Sequence, residues 1–126
     1  MGNEKQTIGR RGEEEACFFL MKRGHTIVDR NWRSSHLETD IVSFNDEGLH
    51  FVEVKSRKAP VAAAPEVNVG PRKRDRMVRA AQSYLHSGGK AWMWDMEVFF
   101  DVVTVVFFDD HCDIEYYPQA FVPLYV

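Results

Sequence analysis

Apolar and polar residues near the start of the chain recur with the helical period of about 3.6 residues. This pattern predicts a first helix over residues 4 to about 23, ended by Gly24. The predicted buried stripe consists of Ile8, Gly12, Ala16, Phe19 and Leu20. Glu13 lies at the edge of this stripe, whereas the two glutamates that follow it point away. We therefore expect Glu13 alone of the three to lean over the sheet.

Three segments then show the alternation that is typical of strands, over residues 25–30, 36–44 and 49–55. Asn45-Asp46-Glu47-Gly48 separates the last two segments, and these are residues that favour tight turns. The pattern therefore predicts an antiparallel hairpin.

The second half of the chain predicts a loop, a helix and one or two strands. Residues 56–70 contain two prolines and a run of alanines, which indicates a mobile loop. A second helix is expected from Pro71 to about His86, followed by a strand over 97–108 and a possible final strand over 113–117. The order α-β-β-β-α-β(-β) over residues 1–126 predicts one α/β domain.

The predicted hairpin contains the candidate metal-binding and catalytic residues. Because side chains alternate between the faces of a strand, Glu53 and Lys55 share one face, and Glu38 and Asp40 share a face of the preceding strand. Pairing these strands can bring Asp40, Glu53 and Lys55 together at one end of the sheet. Two carboxylates and an ammonium are costly to bury unless they are compensated. A divalent metal such as Mg²⁺ or Mn²⁺ would compensate them, since both prefer hard oxygen ligands.

Charge is distributed unevenly along the chain. The net charge is −3, yet residues 55–90 contain nine Lys or Arg against two acids, and residues 91–126 contain seven acids and neither Lys nor Arg. Arg72, Arg76 and Arg79 line the exposed face of the second helix, with Lys73 at its border. This basic region suits a phosphate backbone, so DNA is the expected partner. A solvated basic face is the alternative.

Composition sets the expected environment. No apolar run approaches the length of about eighteen residues needed for a membrane span. Cys17 and Cys112 have neither a metal-binding spacing nor a disulfide framework. A reduced cytoplasmic setting, without a membrane, is therefore expected.

Several motifs, in order and spacing, resemble one known family. They are Gly9-Arg10-Arg11-Gly12-Glu13 followed by Ala16, Asn31-x-Arg33, Glu38-x-Asp40, Phe51-Val52-Glu53-Val54-Lys55, Lys73, Ala80-Ala81, Tyr84-Leu85 and Phe100-Asp101-Val102-Val103. Together they resemble the YraN-like family, which is related to the Holliday-junction-resolvase branch of the PD-(D/E)XK nuclease superfamily. Two positions beside the predicted site depart from that pattern, because Leu37 stands in place of a glycine and Thr39 in place of an apolar residue.

The resemblance implies a restriction-endonuclease-like fold, with a mixed central sheet flanked by helices. It also implies a metal-dependent endonuclease in which Asp40 and Glu53 hold Mg²⁺ or Mn²⁺, Lys55 is catalytic and Glu13 is an auxiliary acid. The backbone carbonyl of Val54 is the expected third ligand. Phosphate contacts are expected from Arg33, Arg57, Arg72, Lys73, Arg76 and Arg79.

Other interpretations stay open from the sequence. Asp40, Glu53 and Lys55 could form only a salt-bridge cluster, with Glu13 capped by Arg10 or Arg11. The chain could bind nucleic acid on a nuclease fold with little or no catalysis. It could also be a protein-interaction adaptor or a homodimer, for which the off-stripe apolar residues of the first helix are the main support.

Overall fold

A computed structural model describes residues 3–61 and 69–123. Its main elements are α1 (Glu4–Lys22), β1 (Thr26–Ser34), β2 (Leu37–Phe44), β3 (Leu49–Lys58), α2 (Pro71–Ser83), β4 (Val98–Phe107) and β5 (Cys112–Phe121). A π-helical turn, Tyr84–Gly88, extends α2, and a short 3₁₀ helix, Ala91–Asp95, precedes β4. In this part of the chain no helix is long and apolar enough to cross a membrane.

The strands form one five-stranded sheet in the order β1-β2-β3-β4-β5. The first three strands are antiparallel neighbours, β4 lies parallel to β3, and β5 returns antiparallel to β4. The parallel step requires a crossover, which α2 provides. This mixed sheet with flanking helices confirms the predicted α/β class and is consistent with the restriction-endonuclease-like fold.

The β2–β3 hairpin forms where the turn residues predict it. The side chain of Asn45 accepts hydrogen bonds from the backbone N–H groups of Glu47 (3.0 Å) and Gly48 (3.3 Å). Asn45 N–H also donates to the Gly48 carbonyl at 3.0 Å. These bonds fix the hairpin register, which pairs Phe44 with Leu49 and Ile41 with Val52.

The sheet is covered on both faces, and each face has its own apolar cluster. The α1 side buries Ile8, Ala16, Cys17, Leu20, Ile41, Val52, Val103, Val105 and Phe107. The α2 side buries Val42, Leu49, Phe51, Val69, Met77, Ala81, Tyr84, Met93, Phe100, Val102 and Phe121. Odd-numbered residues of β3 and even-numbered residues of β2 therefore face α2.

Gly12 allows α1 to approach β3 closely. A Cβ atom at Gly12 would lie 1.8 Å from the Ser56 Oγ atom, which is far inside van der Waals contact. The glycine therefore sets the depth of α1 on the sheet, and with it the position of the neighbouring Glu13.

Some predicted boundaries were wrong. Residues 56–58 belong to β3 rather than to the predicted loop, because parallel pairing with residues 105–107 of β4 satisfies their backbone groups. Residues 62–68 of that predicted loop lie outside the described residues. β1 and β5 both extend beyond the predicted ends, to Ser34 and Phe121.

Candidate metal centre

The candidate site lies where β2 and β3 separate. Ile41–Val52 is the last pair of their ladder, and continuing the same register places Asp40 opposite Glu53. Beyond that pair the backbone N–H of Val54 donates to the Asp40 side chain at 2.8 Å. The two carboxylates therefore stand on neighbouring strands and share the face covered by α2.

Asp40 is partly buried and sits in a field of negative charge. The pKa of Asp40 is raised from 3.8 to about 7. Burial is the largest cause of this rise, and repulsion from the Glu53 carboxylate is the second. The hydrogen bond from Val54 opposes this rise, while Glu13 and Glu38 add to it. The surroundings of Asp40 thus disfavour its ionised form, and a cation bound beside it would offset that cost.

Two lysines stand beside Glu53. Lys55 follows two residues later on the same face of β3 and is partly buried. Lys73 comes from the first turn of α2, and its Nζ atom lies 3.0 Å from Glu53 Oε1. Sequence reasoning placed Lys73 on the border of a basic face and missed this ion pair, because only the crossover geometry brings α2 over β3.

Glu13 approaches from α1, on the other face of the sheet. Burial raises the pKa of Glu13, against the effect of a hydrogen bond with the Asn31 side chain and the charge of Arg30. Its Oε2 atom is buried and has no hydrogen-bond partner among the described residues. Of the two arginines named as alternative partners of Glu13, Arg10 and Arg11, Arg11 lies over the Phe107 ring at 4.4 Å.

Asn31 was noted in the sequence only as part of the family pattern. Its φ of 52° lies in the left-handed region, which asparagine tolerates better than most residues. Asn31 thus combines an unusual backbone conformation with a side-chain bond to Glu13.

The oxygen donors of this site suit a hard divalent ion whose remaining ligands would be water molecules and a backbone carbonyl. Within residues 3–61 and 69–123 no three His, Cys, Asp or Glu side chains converge closely enough to hold an ion by themselves. Asp40 and Glu53 offer carboxylate oxygens from opposed positions, and the Val54 carbonyl lies on the strand between Glu53 and Lys55. Mg²⁺ commonly binds one or two carboxylates and keeps several waters.

The arginines predicted to contact phosphate lie at the surface around this face. Arg33 pairs with Glu38 at 3.3 Å, and both side chains are more than half exposed. Arg57, at the exposed end of β3, donates to the Ser56 carbonyl at 2.8 Å. Arg72, Arg76 and Arg79 are exposed along α2, and Arg79 pairs with Asp75 at 3.2 Å.

A second polar cluster, which the sequence did not predict as a group, is buried on the α1 face. Asp101 accepts hydrogen bonds from His50 Nδ1 (2.6 Å), the Tyr116 hydroxyl (2.5 Å) and the Gln119 backbone N–H (2.9 Å). His50 and Asp101 are almost completely buried. These bonds satisfy Asp101, an acid within an apolar strand, and give it a structural role. Its partners were not predictable, because His50 is 51 residues away.

Comparison with known proteins places the chain in a family. Residues 12–105 match the sequence model of the uncharacterised protein family UPF0102. A UPF0102 protein of Anaeromyxobacter dehalogenans is 41% identical, covering 95% of this chain and 87% of the relative. One from Bacteroides thetaiotaomicron is 38% identical, covering 95% and 96% respectively. One from Oleidesulfovibrio alaskensis is 44% identical over 77% of this chain and 46% of that relative. The chain therefore belongs to the uncharacterised protein family UPF0102.

Proposed function

We propose that this chain is a metal-dependent endonuclease that hydrolyses phosphodiester bonds in DNA, with structured or branched DNA as the expected substrate. The observation that carries the proposal is the position of Asp40 opposite Glu53 on one face of the sheet, where β2 and β3 separate. Lys55 on the same face and the basic α2 beside it complete the arrangement. The resemblance to PD-(D/E)XK nucleases supports the same chemistry.

In this proposal Asp40, Glu53 and the Val54 carbonyl would hold Mg²⁺ or Mn²⁺. When bound, the ion would activate a water molecule and neutralise charge on the phosphate oxygens. Hard oxygen donors beside a partly buried carboxylate whose pKa is raised to about 7 support this ligand set.

The remaining residues act on the substrate. Lys55 donates to the attacking water or to a phosphate oxygen, so that it stabilises the charge that develops there. Glu13 approaches the edge of the site from α1 and adds to the negative charge at Asp40, and it orients water there through its unpaired buried oxygen. Arg33 and Arg57 flank the scissile phosphate, while Arg72, Arg76 and Arg79 follow the backbone farther away.

The direct test is cleavage of branched, single-stranded and duplex DNA in Mg²⁺ or Mn²⁺. Glu53→Ala and Lys55→Ala should each reduce the cleavage rate by about a hundredfold or more, because each loses a group that acts in the transition state. Glu47→Ala, in the exposed hairpin turn, is the matched control and should retain full activity. Ca²⁺ should support binding without cleavage, since its looser coordination positions water poorly.

Two results would contradict the catalytic proposal. The first is absence of metal-dependent cleavage of all three DNA forms. The second is activity that survives Glu53→Ala unchanged, which would identify a contaminating nuclease.

A second candidate is a nucleic-acid-binding module on the same fold without catalysis. The ion pair between Glu53 and Lys73 favours it, because a protein cation already neutralises one of the two carboxylates. This module would bind DNA with a steep dependence on salt but would bind Mn²⁺ no better than the Glu53→Ala variant does.

An association between two copies of the chain has one supporting observation. Phe18 and Met21, on α1, have 51% and 46% of their surface exposed. Substituting both by serine should convert a dimer to a monomer in light scattering if this surface joins the copies. A wild-type chain that is monomeric at high concentration would contradict the dimer.

A further inference from the structure

The contact between Lys73 and Glu53 joins the basic helix to the candidate metal centre. The Lys73 ammonium lies 3.0 Å from the carboxylate, and the two side chains are 36% and 18% exposed. Lys73 is the third residue of α2, so it reaches the site from the element that carries Arg72 and Arg76. Lys73 therefore belongs both to the basic helix α2 and to the candidate metal centre.

The charges around Glu53 explain why a cation is needed there. Glu53 lies opposite Asp40 on the neighbouring strand, so the two carboxylates lie together in a partly buried site and repel each other. In the absence of a metal ion, Lys73 supplies positive charge directly to one of them. A divalent ion bound between Asp40 and Glu53 would take over that role.

The Lys73 side chain is also able to move away from the Glu53 carboxylate. It ends in a compact ammonium on a flexible four-carbon stem, and more than a third of its surface is exposed. It lines a small surface pocket of about 40 Å³ together with Glu38, Arg76 and His36, so open space lies beside it. An ion pair of this kind is held less firmly than one that is fully buried.

We infer that Lys73 is an exchangeable counter-ion of Glu53. It neutralises Glu53 in the metal-free protein, releases this carboxylate when a divalent cation binds, and then contacts a phosphate of the nucleic acid. The inference rests on the proposed function and adds to it a residue that couples metal binding to substrate binding.

The first test measures Mn²⁺ affinity by isothermal titration calorimetry, with thermal unfolding in EDTA as a second measurement. Lys73→Met keeps the length of the side chain and removes the competing charge. Arg72→Met removes an equal charge one residue earlier, on the exposed surface, and is the matched control. Lys73→Met should bind Mn²⁺ roughly five- to tenfold more tightly than Arg72→Met, since a competing ion pair of intermediate burial is lost. Its unfolding temperature in EDTA should fall by about 2 to 6 °C.

The outcomes separate the inference from the proposed function. If the wild type binds Mn²⁺ and Lys73→Met binds it no more tightly than Arg72→Met, the inference is overturned and the nuclease proposal stands. If neither the wild type nor Lys73→Met binds Mn²⁺, both are overturned. Binding by Lys73→Met alone would support the inference strongly, because the lysine would then block the site.

The second test compares DNA affinity in EDTA and in Ca²⁺ by fluorescence anisotropy. In EDTA Lys73 is engaged by Glu53, so Lys73→Met should change affinity less than about twofold. In Ca²⁺ the freed lysine contacts phosphate, and its loss should weaken binding by about fivefold. Arg72→Met should weaken binding equally in both conditions. Equal effects of Lys73→Met in EDTA and Ca²⁺ would contradict the release of Lys73.

Discussion

Asp40→Asn should make the metal-free protein more stable. The substitution keeps an oxygen that accepts the hydrogen bond from the Val54 N–H, now 2.8 Å long, and keeps the shape of the side chain. It removes the negative charge that burial and Glu53 make unfavourable. A residue that destabilises the fold on its own is expected where the side chain is kept for function.

The magnitude follows from the pKa. Folding raises the pKa of Asp40 from 3.8 to about 7. A difference of this size means that the ionised carboxylate costs the folded state about 4 kcal/mol at high pH. The new amide must also find a hydrogen-bond partner, at a cost of about 1 to 3 kcal/mol if it does not. We expect a net gain of about 1 to 4 kcal/mol at about pH 8.

The pH dependence has a defined direction. The folded protein holds a proton on Asp40 more tightly than the unfolded chain does, so the folded state binds more protons between pH 3.8 and about 7. Wild-type stability therefore falls, relative to the variant, as the pH rises through this range. The advantage of Asp40→Asn should be smaller by about 2 to 3 kcal/mol at about pH 5 than at about pH 8.

Urea unfolding in EDTA, followed by circular dichroism at both pH values, measures these differences. Asp46→Asn, in the exposed hairpin turn, is the control and should change the free energy of unfolding by less than about 0.5 kcal/mol. An Asp40→Asn variant that is no more stable than the wild type at about pH 8, or an advantage that does not depend on pH, would refute the reasoning.

Three further predictions concern other parts of the molecule. Gly12→Ala should lower the free energy of unfolding by about 1 to 3 kcal/mol in urea titrations, because its methyl group would force α1 away from β3; an unchanged midpoint would show that α1 is free to shift. Asp101→Asn should cost about 3 to 5 kcal/mol, because it leaves the donors around a buried carboxylate poorly matched; a loss below 1 kcal/mol would contradict this role. Charge reversal at Arg72, Arg76 and Arg79 should weaken DNA binding and reduce its salt dependence, with unchanged circular dichroism; unchanged binding would show that this face is only solvated.

Local patterns predicted much of the fold. The stripe around Ala16 and Leu20 and the turn at Asn45 depend on contacts between near neighbours in the chain, and both appear as expected. Period-two alternation likewise placed Asp40 and Glu53 on one face, because register and pleat fix side-chain direction once the hairpin is known.

Long-range geometry accounts for what the sequence did not predict. The two prolines and the alanine run of residues 56–70 suggested a loop, yet parallel pairing with β4 extends the strand through Ser56 and Arg57. The ion pair between Lys73 and Glu53 depends on how the α2 crossover packs over β3, which no local pattern encodes. The topology of the sheet and its crossover determines which side chains meet. The periodicity of the sequence predicts only the face on which each residue lies.

The central claim is that Asp40 and Glu53 hold a divalent metal ion. Crystals soaked in Mn²⁺ and measured near the manganese absorption edge would locate the ion by its anomalous scattering. We predict one strong anomalous peak between the Asp40 and Glu53 carboxylates, which is lost in crystals of Glu53→Ala. A soaked wild-type crystal with no peak at this position, or with its only strong peak elsewhere, would contradict the claim.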